Sequence, residues 1–290
     1  MTYFIAQVLN DPVENIVSVV RGVVKILVFT AIILTFLIWS FLCHFVVRSP
    51  EKRLKTFSGN ARFFSGLILK AMNLHLVVKN KPAESEKFLL VSNHMGFIDI
   101  MMLASCTPML FVTSVEMRET PFLGLLTELG GCIYVERRSR TRILDEMKNI
   151  VETLRKGFRV VLYPEATSTN GERVLPFKKT LMMAAAHAGV PIQPVVINFR
   201  NINGEDFTLK WRDHVCWYGD IPFATAMWRA ATLKSVTGEI EFLEQIVSTP
   251  EDDRGVIADK AHSLIASKFV PVKGLPVEEQ SPAEMEADPT

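Results

Sequence analysis

From Ile26 to Val47 the chain runs for 22 residues, ILVFTAIILTFLIWSFLCHFVV, without a Lys, Arg, Asp or Glu. A helix needs about 20 mostly apolar residues to cross the hydrocarbon core of a bilayer. His44 is the one readily ionisable residue of the run and stands near its end, where a polar group is cheap to place. A secretory signal fits poorly. The run exceeds an h-region of about 7–15 residues, begins late and has no small-x-small cleavage site before Arg48. The run therefore predicts a transmembrane or membrane-embedded helix over 26–47, behind a short segment 1–25.

The flanks suggest an orientation. Residues 48–67 hold Arg48, Lys52, Arg53, Lys55 and Arg62, against Arg21 and Lys25 in 6–25. Cations favour the cytoplasmic side, so the rest of the chain is expected there, with the basic stretch near anionic headgroups. Residues 56–76 mix Phe63, Phe64 and Leu67 with Arg62 and Lys70, which suits an amphipathic helix. The segment 48–80 reads as basic and membrane-proximal. At the other end, 271–290 is rich in Pro and acid, as in disordered tails. Lys273 against five acids gives that tail −4 within a total of +1, leaving +5 for residues 1–270. No basic field of nucleic-acid-binding strength remains. Cys43, Cys106, Cys132 and Cys216 form no C-x-x-C pair, which argues against a disulfide scaffold or structural zinc.

Between them, residues 81–270 alternate short apolar runs with helical patterns. Strands are expected at Phe88–Ser92, Leu110–Ser114, Cys132–Val135, Arg159–Tyr163 and Ile192–Asn198. Helices are expected at Ile98–Ser105, Pro121–Leu129, Arg140–Lys156 and Lys178–Ala188. This alternation predicts a single α/β domain around a mostly parallel sheet. Chemistry in such a fold gathers where loops leave the carboxyl ends of strands.

Three polar blocks sit at those ends. Asn93-His94-Met95-Gly96-Phe97-Ile98-Asp99 follows the first strand. A neutral imidazole there can take a proton from a hydroxyl, and a carboxylate can fix its tautomer. Five residues apart on an ideal helix the two side chains would diverge by about 140°, so they meet only if His94 lies in the turn. Glu136-Arg137-Arg138 ends a later strand and offers guanidiniums to an anion. Pro164-Glu165 opens a stretch of small and hydroxylic residues reaching Arg173, Lys178 and Lys179, groups able to orient a polyol or reach a phosphate.

Together, in this order, the blocks resemble the 1-acylglycerol-3-phosphate acyltransferase family of lysophospholipid acyltransferases. The likeness covers roughly residues 60–220. It rests on the H-x4-D block, on Gly131-Cys132-Ile133-Tyr134-Val135-Glu136-Arg137, on Tyr163-Pro164-Glu165-Ala166-Thr167-Ser168, on Val190-Pro191-Ile192-Gln193-Pro194-Val195, and on Pro121-Phe122-Leu123-Gly124. The resemblance implies His94 as general base, oriented by Asp99, for the free hydroxyl of a lysolipid. The hydroxyl would attack the thioester of acyl-CoA or acyl-carrier protein directly, with no Ser or Cys nucleophile and no metal or organic cofactor. Arg137, Glu165 and Thr167 would hold the acceptor's head group. The acceptor expected first is 1-acyl-sn-glycerol-3-phosphate, giving phosphatidic acid.

Two departures bear on that acceptor. Ala166 replaces the family's usual Gly, and Ser168 stands where the family's phosphate-binding Arg would be. Arg173 or Lys178 would have to substitute for that Arg, or the acceptor is a lyso-ornithine lipid or lysophosphatidylcholine. Val174-Leu175-Pro176-Phe177-Lys178 and Trp217-Tyr218-Gly219-Asp220 are similar to the lyso-ornithine-lipid branch. A non-catalytic lipid-binding module would be expected to have lost His94 or Asp99. A lipid hydrolase would want G-x-S-x-G, which the sequence lacks.

Overall fold

The computed structural model describes residues 12–136 and 143–274. The apolar run belongs to one long helix, α1 (Pro12–Val46), which also takes in most of the segment set apart at 1–25. At 1.5 Å per residue it is about 52 Å long, well beyond a hydrocarbon core of about 30 Å. By length and composition it can cross a membrane.

One face of α1 is nevertheless fastened to the domain. Arg21 donates to the Thr232 carbonyl, and Lys25 Nζ donates to the carbonyls of Met72 and Leu233 at 2.6 and 2.7 Å. Ile33 and Phe36 are buried, Ser40 accepts from Asn60, and His44 stacks on Phe57. The opposite face, with Leu27, Leu34, Ile38, Phe41 and Phe45, is exposed.

Helix α2 (Pro50–Ala71) returns along α1. Ser49 caps it through the Lys52 amide and Pro50 starts it, as both residue types favour. It lies earlier than the helix expected at 56–76, and the residues after it form strand β1 (Leu74–Lys79). The domain boundary at 81 is thereby corrected, because β1 pairs in parallel with β8 (Val236–Phe242) and belongs to the sheet. Only alternate residues of β1 are partly shielded, a half-exposed pattern that reads as helix when joined to the preceding run.

The sheet also contains β2 (Leu89–Ser92), β3 (Leu110–Ser114), β4 (Ile133–Val135), β5 (Val160–Leu162), β6 (Ile192–Ile202) and β7 (Glu205–Asp206). Its order is β1-β8-β6-β2-β5-β3-β4, with β7 added to β6. It is mostly parallel, as expected; β6 meets β7 and β8 antiparallel. The five strands read from the apolar runs all form, within a residue or two at most ends. They read easily because strands buried on both faces are continuously apolar.

Leu90, Val161 and Val195 face a core shared with α1, α2, α3 (Phe97–Cys106) and α9 (Phe223–Thr232). Leu89, Val91 and Val160 face the other layer, α6 (Ile143–Arg155), α7 (Ala184–Ala188) and α10 (Arg254–Lys268). Between β3 and β4 come α4 (Val115–Glu119) and α5 (Leu123–Leu129), and α8 (Leu209–Val215) follows β7. The helix expected over Lys178–Ala188 is shorter. Residues 174–179 form no helix, and a 3-10 turn at Leu181–Met183 leads into α7. At the C-terminal end order reaches past 271: Val272 is buried and its amide donates to the Gly171 carbonyl. Residues 275–290 of the expected tail lie outside the described residues.

Candidate active site

Strand β2 sits between β5 and β6, so the loops leaving β2 and β5 lie side by side at the carboxyl edge. His94 leaves β2 in the turn. Gly96 caps α3, and Asp99 occupies the first turn of that helix. The turn thus supplies the meeting that helical spacing alone forbids. His94 Nδ1 lies 3.0 and 3.1 Å from the two Asp99 oxygens. Asp99 is fully buried and also accepts from the amides of Met95 (2.5 Å) and Gly96 (2.9 Å) and from the Tyr163 hydroxyl (3.2 Å). The two amides and the phenol all donate to this carboxylate.

Gly96 has φ +147°, and a Cβ there would stand 2.8 Å from the Trp217 nitrogen. That amide donates to the Met95 carbonyl at 2.7 Å, so the turn and the Trp217 segment are in backbone contact.

Several residues hold His94. Tyr163 stacks on its ring, with centroids 4.1 Å apart and planes at 19°. Burial pushes the Tyr163 phenol well above its ordinary pKa, so it stays a donor to Asp99. The Thr169 amide and hydroxyl both donate to the His94 carbonyl. Asn93 pins β2 to β6 by a reciprocal pair with Ile197, at 3.0 and 2.9 Å. The supporting roles of Tyr163, Thr169, Trp217 and the Asn93–Ile197 pair are not readable from the sequence. Their partners lie 69 to 122 residues along the chain from His94, Met95 or Asn93, and no local spacing marks them.

Glu165 differs from its expected role. It is buried; one oxygen accepts from the His94 amide at 2.8 Å and the other from the Leu175 amide at 3.0 Å. Burial raises its carboxyl to about 7 against the pull of those two amides. It braces two loops and is not among the residues that line the cavity beside His94. Arg173 and Lys178 are exposed and do not line the cavity beside His94. Thr167 and Ser168 do line it, and Ser168 Oγ donates to the Trp217 carbonyl at 2.5 Å. Ala166 adopts φ +59°, the left-handed conformation a glycine would take without strain. Arg137 lies outside the described residues.

The cavity has a volume of about 440 Å³, within the size range of small-molecule sites. Its wall is mostly apolar and comes from α1 (Phe29, Ile33), α2 (Phe64, Ile68), α5 (Leu126) and β3 (Phe111), with His94 and Tyr163 among them. Among the described residues, its lining includes no Lys or Arg.

A histidine on the wall of an apolar cavity, backed by a buried carboxylate on a mostly parallel α/β sheet with an apolar N-terminal helix, is an arrangement suited to acid–base chemistry on an apolar substrate. The comparisons agree. The family profile "Acyltransferase" matches residues 73–198. A lyso-ornithine lipid O-acyltransferase of Brucella abortus is 30% identical over 204 residues, 68% of this chain and 76% of that one. A 1-acyl-sn-glycerol-3-phosphate acyltransferase of Neisseria meningitidis serogroup B is 27% identical over 199 residues, with 68% and 76% covered. The fold is that of the 1-acyl-sn-glycerophosphate acyltransferase from Thermotoga maritima, at TM-score 0.64 and 18% identity over 88% of this chain and 95% of that structure. The chain belongs to this acyltransferase family and is an acyltransferase of lipid metabolism.

Proposed function

We propose that the enzyme acylates the free hydroxyl of a membrane lysolipid, with acyl-CoA or acyl-carrier protein as donor and His94 as base. The observation that carries this reading is His94 on the wall of the apolar cavity, with the buried Asp99 3.0 Å from its Nδ1. With Nδ1–H donated to Asp99, the Nε2 lone pair is free to take the acceptor's hydroxyl proton as the oxygen attacks the thioester carbonyl. When the tetrahedral intermediate collapses, the C–S bond breaks and the thiolate recovers that proton from His94. The buried Asp99 carboxylate stabilises the imidazolium between the two steps. Tyr163 and Glu165 act as positioning residues, one on the ring and one on the backbone. A thioester is already activated, so these steps call on no metal or organic cofactor.

For the acceptor we favour a lysolipid of the lyso-ornithine type, whose head group carries no phosphate. Ser168 replaces a cation with a hydroxyl bonded to Trp217, and Ser has no substitute for the guanidinium fork. Relatives named lyso-ornithine lipid O-acyltransferases match at 30–35% identity. Lysophosphatidic acid is the second reading. It is favoured by the neisserial relatives and by Arg137, two residues beyond β4. The docked inner face of α1 supports a helix embedded in one leaflet, with the catalytic domain on its cytoplasmic side near anionic headgroups.

The test is a panel of lyso-ornithine lipid, lysophosphatidic acid, lysophosphatidylcholine and lysophosphatidylethanolamine with one labelled acyl-CoA, repeated with the acyl-carrier protein. His94→Ala should transfer to none while still folding and binding membranes. Wild-type preference for lysophosphatidic acid would reverse the order of the two acceptors.

A further inference from the structure

We infer that the Pro121–Phe122 corner and the outer face of α5 enter the same lipid leaflet as α1, and that acyl chains pass sideways from the bilayer into the cavity through the seam between α1 and α5. The inference rests on the acyltransferase reading of the cavity. Both helices wall the cavity with one face and carry apolar residues outward on another. Phe29, Ile33 and Phe36 of α1 and Leu123 and Leu126 of α5 face the cavity. Outward, Leu34, Ile38 and Phe41 of α1 are more than half exposed, and Phe122 and Leu125 are each 49% exposed.

The two outer faces are continuous. Leu126 and Leu129 of α5 pack in one cluster with Phe36, Ile32 and Leu37 of α1, which sets Phe122 and Leu125 beside the exposed apolar face of α1. The contacts described across this seam are between apolar side chains. The other end of α1 is locked differently, by Arg21 and Lys25 on backbone carbonyls. The seam is therefore the part of the cavity wall that lipid can replace without breaking a hydrogen bond.

The corner is built to face outward. Phe122 has φ +67°, an outlying conformation for a bulky residue. Gly124 makes the turn possible: its amide donates to the Thr120 carbonyl, and a Cβ on it would stand 2.1 Å from the Arg118 carbonyl oxygen. A strained backbone that turns an aromatic ring away from the core, beside a face rich in exposed apolar residues, fits a lipid environment.

Phe122→Trp, reconstituted in vesicles containing brominated phosphatidylcholine, tests the contact directly. Its added fluorescence over wild type should be quenched by the bromines. Val247→Trp, at a position 84% exposed and remote from this face, should escape quenching. Equal quenching at the two sites would overturn insertion of the corner. For the route, the double variant Phe122→Ser, Leu125→Ser is assayed on two acceptors. Turnover of vesicle-embedded lysolipid should fall about tenfold, as expected from losing two lipid-buried apolar side chains. Turnover of a short-chain lysolipid, dispersed as monomers, should be unchanged. An equal loss on both acceptors, or no loss on either, would overturn the seam as entrance. A wild-type enzyme inactive on every lysolipid would instead remove the acyltransferase reading, and the quenching result would still decide the bilayer contact.

Discussion

Asp99→Asn isolates what the carboxylate does, because the new side chain has the same shape and only one acceptor oxygen. In the wild type, Oδ2 accepts from the Met95 and Gly96 amides, while Oδ1 faces His94 Nδ1 and the Tyr163 hydroxyl. If the Asn oxygen turned toward His94, its NH2 would confront two buried backbone N–H groups, at about 1–3 kcal/mol for each left unsatisfied. The oxygen therefore keeps the amides and the NH2 points at His94. There it donates to Nδ1, and the imidazole must place its proton on Nε2. Tyr163 adapts by accepting instead of donating, since a phenol can do both.

The fold survives, and the base is held in the wrong tautomer. The corresponding error in the serine-protease triad lowers kcat by about 10⁴. Here a loss of about 10³–10⁴ is expected, roughly 4–5.5 kcal/mol of transition-state stabilisation. The assay is steady-state transfer from labelled acyl-CoA, alongside an unfolding curve for the same protein. A variant that folds normally and keeps more than a tenth of wild-type kcat would refute the tautomer argument.

Three other substitutions probe the frame. Gly96→Ala adds a Cβ at 2.8 Å from the Trp217 nitrogen in a backbone region closed to L side chains, so a loss of about 3 kcal/mol or more in denaturant unfolding is expected, with activity falling alongside. Ala166→Gly relieves φ +59° and should stabilise the fold by about 1 kcal/mol; an unchanged midpoint would show the loop already relaxed. Glu165 should make stability depend on pH. Its carboxyl is raised from 4.5 to about 7 by burial, so the folded chain keeps a proton that the unfolded chain has released, and stability falls as pH rises through that window. The fall is on the order of 3 kcal/mol at 1.36 kcal/mol per pKa unit. Glu165→Gln should flatten this slope, whatever its constant cost from placing an amide against a backbone N–H.

What the sequence made legible is what neighbouring residues build. Five strands are readable because strands such as β2 and β5 are buried along their whole length and almost wholly apolar, the pattern of a strand covered on both sides. The His94–Asp99 pair was readable because both members belong to one strand–turn–helix unit. Strand β1 was missed because it lies at the sheet edge, alternates weakly and finds its partner β8 some 160 residues later. The bracing contacts of Glu165 are hidden from the sequence for a related reason. A Pro-Glu at a strand end reads equally as a ligand or as a brace, and the deciding contact, the His94 amide, lies 71 residues away. The odd Ala166 was visible as a letter, while its left-handed backbone was visible only in the fold.

This division has a functional consequence. The His94–Asp99 pair is set by a turn of six residues, pinned from behind by Asn93, Tyr163, Thr169 and Glu165, all buried at least in part. The part of the cavity proposed to meet the acceptor is set instead by a contact between two distant loops, Ser168 on Trp217. A substitution at Ser168 changes the charge offered to a head group without touching any bond that holds His94 or Asp99. Ser168 reaches the turn of His94 only indirectly, through Trp217 and its bond to Met95, and makes no bond to His94 or Asp99 itself. It follows that Ser168→Arg should shift the ratio of kcat/KM between lyso-ornithine lipid and 1-acyl-sn-glycerol-3-phosphate toward the phosphate. If His94 is untouched, kcat on the preferred acceptor should change far less than that ratio, and a parallel collapse of both activities would show that the two functions are coupled after all.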